Sequence, residues 1–129
     1  MQALLTNRNI METTGGLINA YLLDSDGGGR LLDWSGVRGW QQQDGPLWVH
    51  LDFTASGVQH WLLEESGLDR FVAEALIADE TRPRCEVLGD SMLVSLRGVN
   101  TNPGADPEDM VSIRIFTDGQ RIITVTEKA

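Results

Sequence analysis

The sequence predicts an α/β (α+β) fold in which helices pack on a mixed, largely antiparallel sheet of about six or seven strands. Seven segments have the alternating or continuously apolar pattern of strands, whereas two segments between residues 56 and 83 repeat apolar residues at helical spacing. Short Gly- and Asp-rich turns join several strands directly, which favours antiparallel pairing. The predicted order is β-β-β-α-α-β-β-β-β in one domain, as the length of 129 residues allows.

The N-terminal third is predicted to hold the first three strands. Residues 1–16 have little periodicity and form a flexible N-terminal segment, and the domain occupies residues 17–129. Leu17 to Leu23 and Arg30 to Trp34 are predicted to pair as a hairpin across Asp- and Gly-rich residues.

The third strand is predicted over Pro46 to Phe53, where apolar residues alternate. One face holds Leu47, Val49, Leu51 and Phe53, and the other holds Trp48, His50 and Asp52. A tryptophan on the second face predicts that this face is at least partly covered too.

The first predicted helix begins at Ser56, the expected N-cap, with Gln59 completing a capping box. Its apolar stripe is Val58, Trp61 and Leu62. Gly67 is the expected residue just beyond its end.

Asp69 is the expected cap of the second helix, which ends at Pro83 at the latest. Its predicted apolar stripe is Phe71 or Val72, with Ala75, Leu76 and Ile77.

Four strands are predicted in the remaining chain: Arg84 to Leu88, Met92 to Val99, Met110 to Thr117 and Arg121 to Thr126. Met92 to Val99 is mostly apolar, which predicts an internal strand. Residues 100–109 contain two prolines and predict a loop, and Asp118-Gly119 predicts a type I′ hairpin.

The composition restricts the classes of function. With 19 acidic and 10 basic residues the net charge is -9, which disfavours nucleic acid and anionic lipid as partners and raises the local concentration of cations. The single cysteine, Cys85, excludes an internal disulfide and a Cys-rich zinc site, and indicates a reducing cytosolic location. Met1 to Met11 lack a signal-peptide pattern, and no apolar run approaches the ~20 residues of a membrane span.

Two His–carboxylate pairs have spacings that could serve a metal. His50 and Asp52 share a strand face, but two ligands are too few for a closed zinc site, so a half-buried, hydrogen-bonded histidine is favoured. His60 and Glu64 stand at i,i+4 on the first helix, where a solvated surface pair is favoured.

Two acidic clusters are the other candidates. Asp79-Glu80 with Arg82 and Arg84 is either a local ion-pair cluster or a contact with a neighbouring subunit or segment. Asp106, Glu108 and Asp109 could attract Mg²⁺, but the spacing is not that of an EF-hand and a solvated loop is favoured.

No catalytic, cofactor-binding or metal-ligating residue is predicted. Gly27-Gly28-Gly29 is followed by Arg30 and not by the Lys-Ser/Thr pair and helix of a phosphate loop, so it predicts a turn. There is no Gly-x-Ser-x-Gly motif, and Cys85 has no histidine partner by spacing. A small enzyme is therefore the function with least support.

A longer pattern carries a resemblance to a known family. Leu96 to Ile115, which includes RGVN-NPGA-PEDMVSIR, is similar to the ZntB branch of the CorA family of divalent-cation transporters. Leu76 to Arg84 resembles the end of that branch's second helix, and Trp48 to Asp52 followed by Trp61-Leu62 agrees in order and type. The resemblance extends over most of the chain beyond residue 17.

The resemblance implies a CorA-type cytoplasmic funnel domain on the cytoplasmic side of the bacterial inner membrane. The family forms homopentamers, with a stalk helix and two transmembrane helices after the cytoplasmic domain. The transported ion is expected to be zinc, with Mg²⁺, Co²⁺ or Ni²⁺ as alternatives, and no cofactor is expected to bind tightly. The stalk, the membrane helices and the Gly-x-Asn pore motif are absent from these residues, so we expect the sequence to be truncated before them.

Two functions therefore remain open. The first is a structural or regulatory cytoplasmic domain of a transporter. The second is a free-standing cytosolic module that binds a metal or a protein through the His50/Asp52 face or the acidic loop.

Overall fold

The computed structural model describes residues 15–78, 82–98, 101, 103, 104, 106 and 111–127. Its strands are β1 (Leu17–Leu23), β2 (Gly29–Leu31), β3 (Leu47–Asp52), β4 (Arg84–Leu88), β5 (Ser91–Gly98), β6 (Val111–Thr117) and β7 (Arg121–Thr126). They form one sheet in the order β2-β1-β3-β7-β6-β5-β4. Among the strands of the described residues, only β3 and β7 pair in parallel. The predicted mixed, largely antiparallel sheet is confirmed.

The helices are short and precede β4. They are α1 (Trp34–Arg38), α2 (Ser56–His60), which continues into a π-helical turn (Trp61–Glu65), and α3 (Arg70–Leu76), with a 3₁₀ turn at Gln42–Asp44. Within the described part of the chain, none of them has the length and apolar character to cross a membrane.

The hydrophobic core lies between one face of the sheet and these helices. Leu47, Val49 and Leu51 of β3 are fully buried, as their alternation predicts. The predicted stripe of the first helix is also buried and packs in the same core: Val58, Trp61 and Leu62.

The second predicted strand is wrong at its end, because Trp34 begins α1. The Asp33 carboxylate accepts a hydrogen bond from Gly36 N at 2.9 Å and so caps a helix where the sequence suggested more strand. Trp34 is buried, and its ring centroid lies 5.8 Å from that of Trp61.

The predicted capping box of α2 is also wrong. Ala55 is the N-cap, Ser56 is the first helical residue, and no side chain caps this end. The Gln59 side chain instead donates to the Phe53 carbonyl at 3.0 Å, so it fixes the turn between β3 and α2. Gly67, with φ of 77°, follows the helix end as predicted.

In α3 the predicted cap is confirmed, since Asp69 accepts from Phe71 N at 2.9 Å. Of the two alternatives for its first core residue, Val72 is buried, whereas Phe71 is 54% exposed.

The turn between β6 and β7 is not the predicted type I′ turn. A type I′ turn needs positive φ at both central residues, but here Gly119 has positive φ and Gln120 does not. Glycine at the first of two central positions is the type II′ arrangement.

Candidate functional site

The face of the sheet opposite the helices, here called the open face, is crossed by a row of one residue from each strand. In spatial order the row is Leu31, Tyr21, Trp48, Ile122, Thr117, Met92 and Val87. A second row contains His50, Thr124, Ile115, Val94 and Cys85. Strand alternation therefore directs a largely apolar set of side chains away from the helices.

These side chains are unusually accessible. The described residues include seven exposed large hydrophobic side chains, and six of them lie on the open face: Leu31, Trp48, Val87, Met92, Leu96 and Ile122. Val87 at 70% and Leu31 at 65% are the most exposed. A contiguous apolar surface of this kind marks an interaction site more often than a solvated face.

Formal charge is nearly absent from the open face. Asp52 is its one acidic strand residue among those described, and it lies at the end of β3. The other charged strand residues register on the opposite, helix-bearing face: Arg30, Arg84, Glu86, Arg97, Arg114 and Arg121. The open face therefore presents few charged side chains to water.

A small polar cluster lies near the centre of the open face. Trp48 Nε1 donates to Thr124 Oγ1 at 3.2 Å, and His50 Nδ1 lies 2.6 Å from the same oxygen. The Trp48 ring also stacks on Tyr21 with centroids 5.9 Å apart. The sequence predicts that the face carrying Trp48 is partly covered. The Tyr21 ring covers part of Trp48, whose side of the sheet is otherwise open, and Trp48 is 37% exposed.

The hydrogen bonds of this cluster hold the His50 ring in place. Thr124 Oγ1 accepts from Trp48 Nε1, lies 2.6 Å from His50 Nδ1 and donates to the Val49 carbonyl at 3.4 Å. Whether Nδ1 or the hydroxyl donates in the His50–Thr124 bond follows from the tautomer of the ring. Burial lowers the pKa of His50, and a backbone hydrogen bond at Thr124 acts in the opposite direction.

His50 and Asp52 share a strand face as predicted, but each has a separate partner. Asp52 Oδ1 accepts from Thr54 N at 3.0 Å and from Thr54 Oγ1 at 2.6 Å, which stabilises the turn after β3. Among the residues described here, no group of three or more His, Cys, Asp or Glu side chains is placed to hold a metal.

His60 lies on a solvated surface, as favoured from the sequence, but its partner is Glu65 and not the predicted Glu64. His60 Nε2 lies 3.8 Å from Glu65 Oε2, because the π-helical turn brings residues five apart together. Glu65 also forms a salt bridge with Arg38, whose Nε lies 3.3 Å from Glu65 Oε1, so the Glu65 carboxylate joins α1 to the π-helical turn.

The other sequence candidates are placed only in part. Asp79, Glu80, Glu108 and Asp109 lie outside the described residues, and Asp106 is exposed. Arg84 pairs with Glu86 at 3.2 Å along β4. Asp24 Oδ1 accepts from Gly28 N at 2.8 Å, which supports the predicted turn at Gly27-Gly28-Gly29. Cys85 is exposed on the open face.

Sequence reasoning missed the role of Arg114, which is 1% exposed on the helix-bearing side of β6. Its Nη1 donates to the Leu76 carbonyl at the end of α3 at 3.0 Å, and its guanidinium lies 4.2 Å from the Phe53 ring centroid. Arg114 therefore joins the sheet to α3 by a charged hydrogen bond and a cation–π contact.

A cavity of about 370 Å³ lies where α1 and the π-helical turn meet the start of β7. Its charged lining is paired internally: Arg38 with Glu65 at 3.3 Å, and Arg121 with Asp118 at 3.5 Å. Arg121 Nη1 also donates to the Ser66 carbonyl at 2.7 Å. The charged groups of the lining are thus engaged with one another and with the backbone, so the open face is the stronger candidate.

Comparison with known proteins gives consistent matches. The family model described as "CorA-like Mg2+ transporter protein" matches residues 43–129. The divalent cation transporter CmaX of Pseudomonas aeruginosa is 44% identical over 112 residues, which are 85% of this chain and 34% of that protein. The zinc transport protein ZntB of an Enterobacter species is 33% identical over 109 residues, 84% of this chain and 32% of that protein.

Two solved structures share the fold. Full-length CmaX superimposes with a TM-score of 0.79 at 42% identity, covering 89% of this chain and 36% of that chain. The ZntB cytoplasmic domain of Vibrio parahaemolyticus gives 0.75 at 28% identity, covering 89% of this chain and 45% of that chain. The chain spans about a third of the length of the curated relatives it matches.

Proposed function

The chain belongs to the CorA-like Mg²⁺ transporter family, and from this premise we propose that it forms the cytoplasmic domain of a divalent-cation transporter, with a structural and regulatory role and no enzymatic one. The observation that carries the proposal is the match to CmaX, which combines 44% sequence identity over 85% of this chain with a shared fold. The open face adds support, because a large uncharged, apolar surface on a domain is typical of a site where another part of a larger protein packs.

We propose zinc as the transported ion, with Mg²⁺, Co²⁺ and Ni²⁺ as alternatives and no tightly bound cofactor. Support comes from the ZntB relatives, which are named zinc transport proteins, and from CmaX, which is named for divalent cations. The net charge of -9 favours this role physically, since an acidic domain concentrates cations near itself.

In the full-length protein the domain connects to a stalk and transmembrane helices, and the assembly is a homopentamer whose cytoplasmic domains form a funnel below the pore at the bacterial inner membrane. A free-standing metal-binding module has less support, because His50 and Asp52 are each bound to a threonine.

Cell fractionation and mass measurement of the full-length protein test this proposal. We expect the full-length protein in the membrane fraction, with a detergent-corrected mass of five subunits by light scattering. A reading frame that ends near residue 129 and gives only soluble protein would contradict it, and stoichiometric Zn²⁺ binding lost in His50→Ala would instead support the free-standing module.

A further inference from the structure

We propose that the cavity between α1, the π-helical turn and the start of β7, here called the arginine cavity, binds a small organic ligand through a carboxylate or phosphate group. The residues of its lining that bear on the ligand are two arginines, two glutamines and two buried apolar side chains: Arg38, Arg121, Gln42, Gln120, Val37 and Leu47. Its volume of about 370 Å³ lies at the lower end of the range for ligand sites, which suits a small metabolite better than a dinucleotide. The site is formed by residues of this chain, so it does not depend on the transporter role proposed above.

Two guanidinium groups converge on the end of the π-helical turn. Arg38 Nε lies 3.3 Å from Oε1 of Glu65, and Arg121 Nη1 donates to the carbonyl of the next residue, Ser66, at 2.7 Å. Two consecutive residues therefore bring both cations to one cavity, in a chain whose net charge is -9. An anion that is repelled by most of this protein's surface has two positive partners here.

Aromatic rings hold both guanidinium groups in position. Arg38 Cζ lies 5.4 Å from the centroid of the Trp34 ring, and Arg121 Cζ lies 5.9 Å from that of the Trp40 ring. The Arg121 side chain is only 12% exposed. Because these contacts exist before any ligand arrives, less side-chain freedom is lost on binding.

The hydrogen-bond donors of the cavity are only partly used. Arg38 contacts Glu65 through Nε, at a distance longer than the ~2.7–2.9 Å of a strong charged hydrogen bond. Within the described part of the chain, the Nη atoms of Arg38 and the side-chain amides of Gln42 and Gln120 have no hydrogen-bond partner. The salt bridge to Glu65 therefore positions the Arg38 guanidinium and leaves its Nη donors for a ligand.

The carboxylate acceptors of the cavity are occupied. Asp118 Oδ1 accepts from Gln120 N at 2.9 Å and from Arg121 N at 3.0 Å, and Asp118 Oδ2 lies 3.5 Å from Arg121 Nε. The two oxygens of Glu65 face Arg38 and His60. A lining with spare donors and occupied acceptors selects a ligand group rich in acceptors, and the planar fork of a guanidinium matches carboxylate and phosphate oxygens.

The remaining lining specifies the body of the ligand. Val37, Leu47 and Trp61 are buried apolar side chains that reach the cavity. They favour a short apolar or aromatic body beside the oxyanion. We therefore infer an organic carboxylate or an organic phosphate as the ligand.

Isothermal titration calorimetry of the full-length protein, in detergent if it fractionates with the membrane, tests the site. The probes are benzoate and phenyl phosphate, which share an aromatic ring and differ in the oxyanion. We expect one molecule per subunit of at least one probe to bind with a Kd of about 1 mM or lower. Binding of only one probe would identify the oxyanion of the ligand as carboxylate or as phosphate.

Three variants locate the bound probe. Arg38→Gln should weaken binding at least about tenfold, because the oxyanion loses a charged two-pronged donor. Arg70→Gln is the matched control and should bind as the unsubstituted protein does, since Arg70 is also exposed and contacts a carboxylate, that of Glu74, but lies on α3 outside the cavity. Glu65→Gln should strengthen binding about threefold or more, because it removes a negative charge that competes for Arg38. A damaged fold does not explain a gain in affinity.

Three results would overturn the site. The first is the absence of saturable heat from either probe at about ten times the expected Kd. The second is equal binding in Arg38→Gln and Arg70→Gln, and the third is binding in Glu65→Gln no tighter than in the unsubstituted protein. Membrane localisation and cation flux are unaffected by these results, so the transporter proposal is tested separately.

Discussion

Thr124 of β7 holds its hydroxyl oxygen 2.6 Å from Nδ1 of His50 on the parallel neighbour β3. The same oxygen accepts from Trp48 Nε1, so one threonine satisfies two ring nitrogens on the open face. β3 and β7 form the one parallel pair in the described sheet, and the cluster links them through side chains as well as through the backbone ladder.

Thr124→Val tests this link. The substitution keeps the shape but removes the hydroxyl, so His50 and Trp48 lose a partner and we expect a loss of about 1–3 kcal/mol in the free energy of unfolding. Thr117→Val on the same face is the matched control, because its hydroxyl accepts only from the exposed Gly119 N. Urea unfolding of both variants measures the difference, and equal losses would contradict the cluster's role.

The pKa of His50 predicts a pH dependence of stability. Burial lowers its folded pKa below the ordinary value of about 6.5, so the unfolded state binds more protons as the pH falls through that value. This contribution to stability is therefore complete above pH ~6.5 and is lost progressively below it. NMR titration locates the folded pKa, and unfolding at several pH values measures the slope.

His50→Gln should reduce that slope, whereas His60→Gln, at a side chain 65% exposed, should leave the His50 contribution in place. A folded pKa for His50 at or above the ordinary value would be inconsistent with the structure.

Arg114→Lys tests the buried guanidinium. Lysine keeps the charge but loses the planar contact with Phe53 and the geometry of the bond to Leu76, so we expect a loss of roughly 2 kcal/mol. Arg97→Lys, at an exposed position on the neighbouring strand, should change stability by less than about 0.5 kcal/mol. Similar small effects for both would show that Arg114 is not a structural anchor.

Gly16 and Gly67 form a matched pair for a packing test. Both have positive φ, 84° and 77°, but a Cβ at Gly16 would clash with Val58 Cγ2, whereas a Cβ at Gly67 would meet open space. Gly67→Ala should cost about 1–2 kcal/mol from backbone strain, and Gly16→Ala should cost about 1–3 kcal/mol more through overpacking. Equal costs in thermal unfolding would argue against the tight contact between Gly16, just before β1, and α2.

Much of the fold could be predicted because its strands alternate clearly and its turns contain Gly and Asp. The errors arose where one residue fits two patterns. Trp34 extends an apolar run, yet Asp33 caps a helix there, and the π-helical turn moves the partner of His60 from Glu64 to Glu65.

The side of each strand that carries the helices was harder to predict. In β6 the apolar alternation of Val111, Ile113 and Ile115 suggests a core-facing side, but Arg114 and Phe116 are the buried residues. The helix-bearing side of β6 carries Ser112 and Arg114 beside Phe116, so the more apolar side of this strand is not the side that the helices cover. The family, in contrast, follows from the long pattern between Leu96 and Ile115, which does not depend on side-chain orientation.

Cation flux by the full-length protein tests the central claim most directly. The protein is reconstituted into liposomes loaded with a dye that responds to the added ion, and uptake is followed separately for Zn²⁺, Mg²⁺, Co²⁺ and Ni²⁺. We expect ion uptake that depends on the protein and that is faster for Zn²⁺ than for Mg²⁺, Co²⁺ or Ni²⁺. Uptake no faster than in protein-free liposomes for all four ions would contradict the proposal that this chain is part of a divalent-cation transporter.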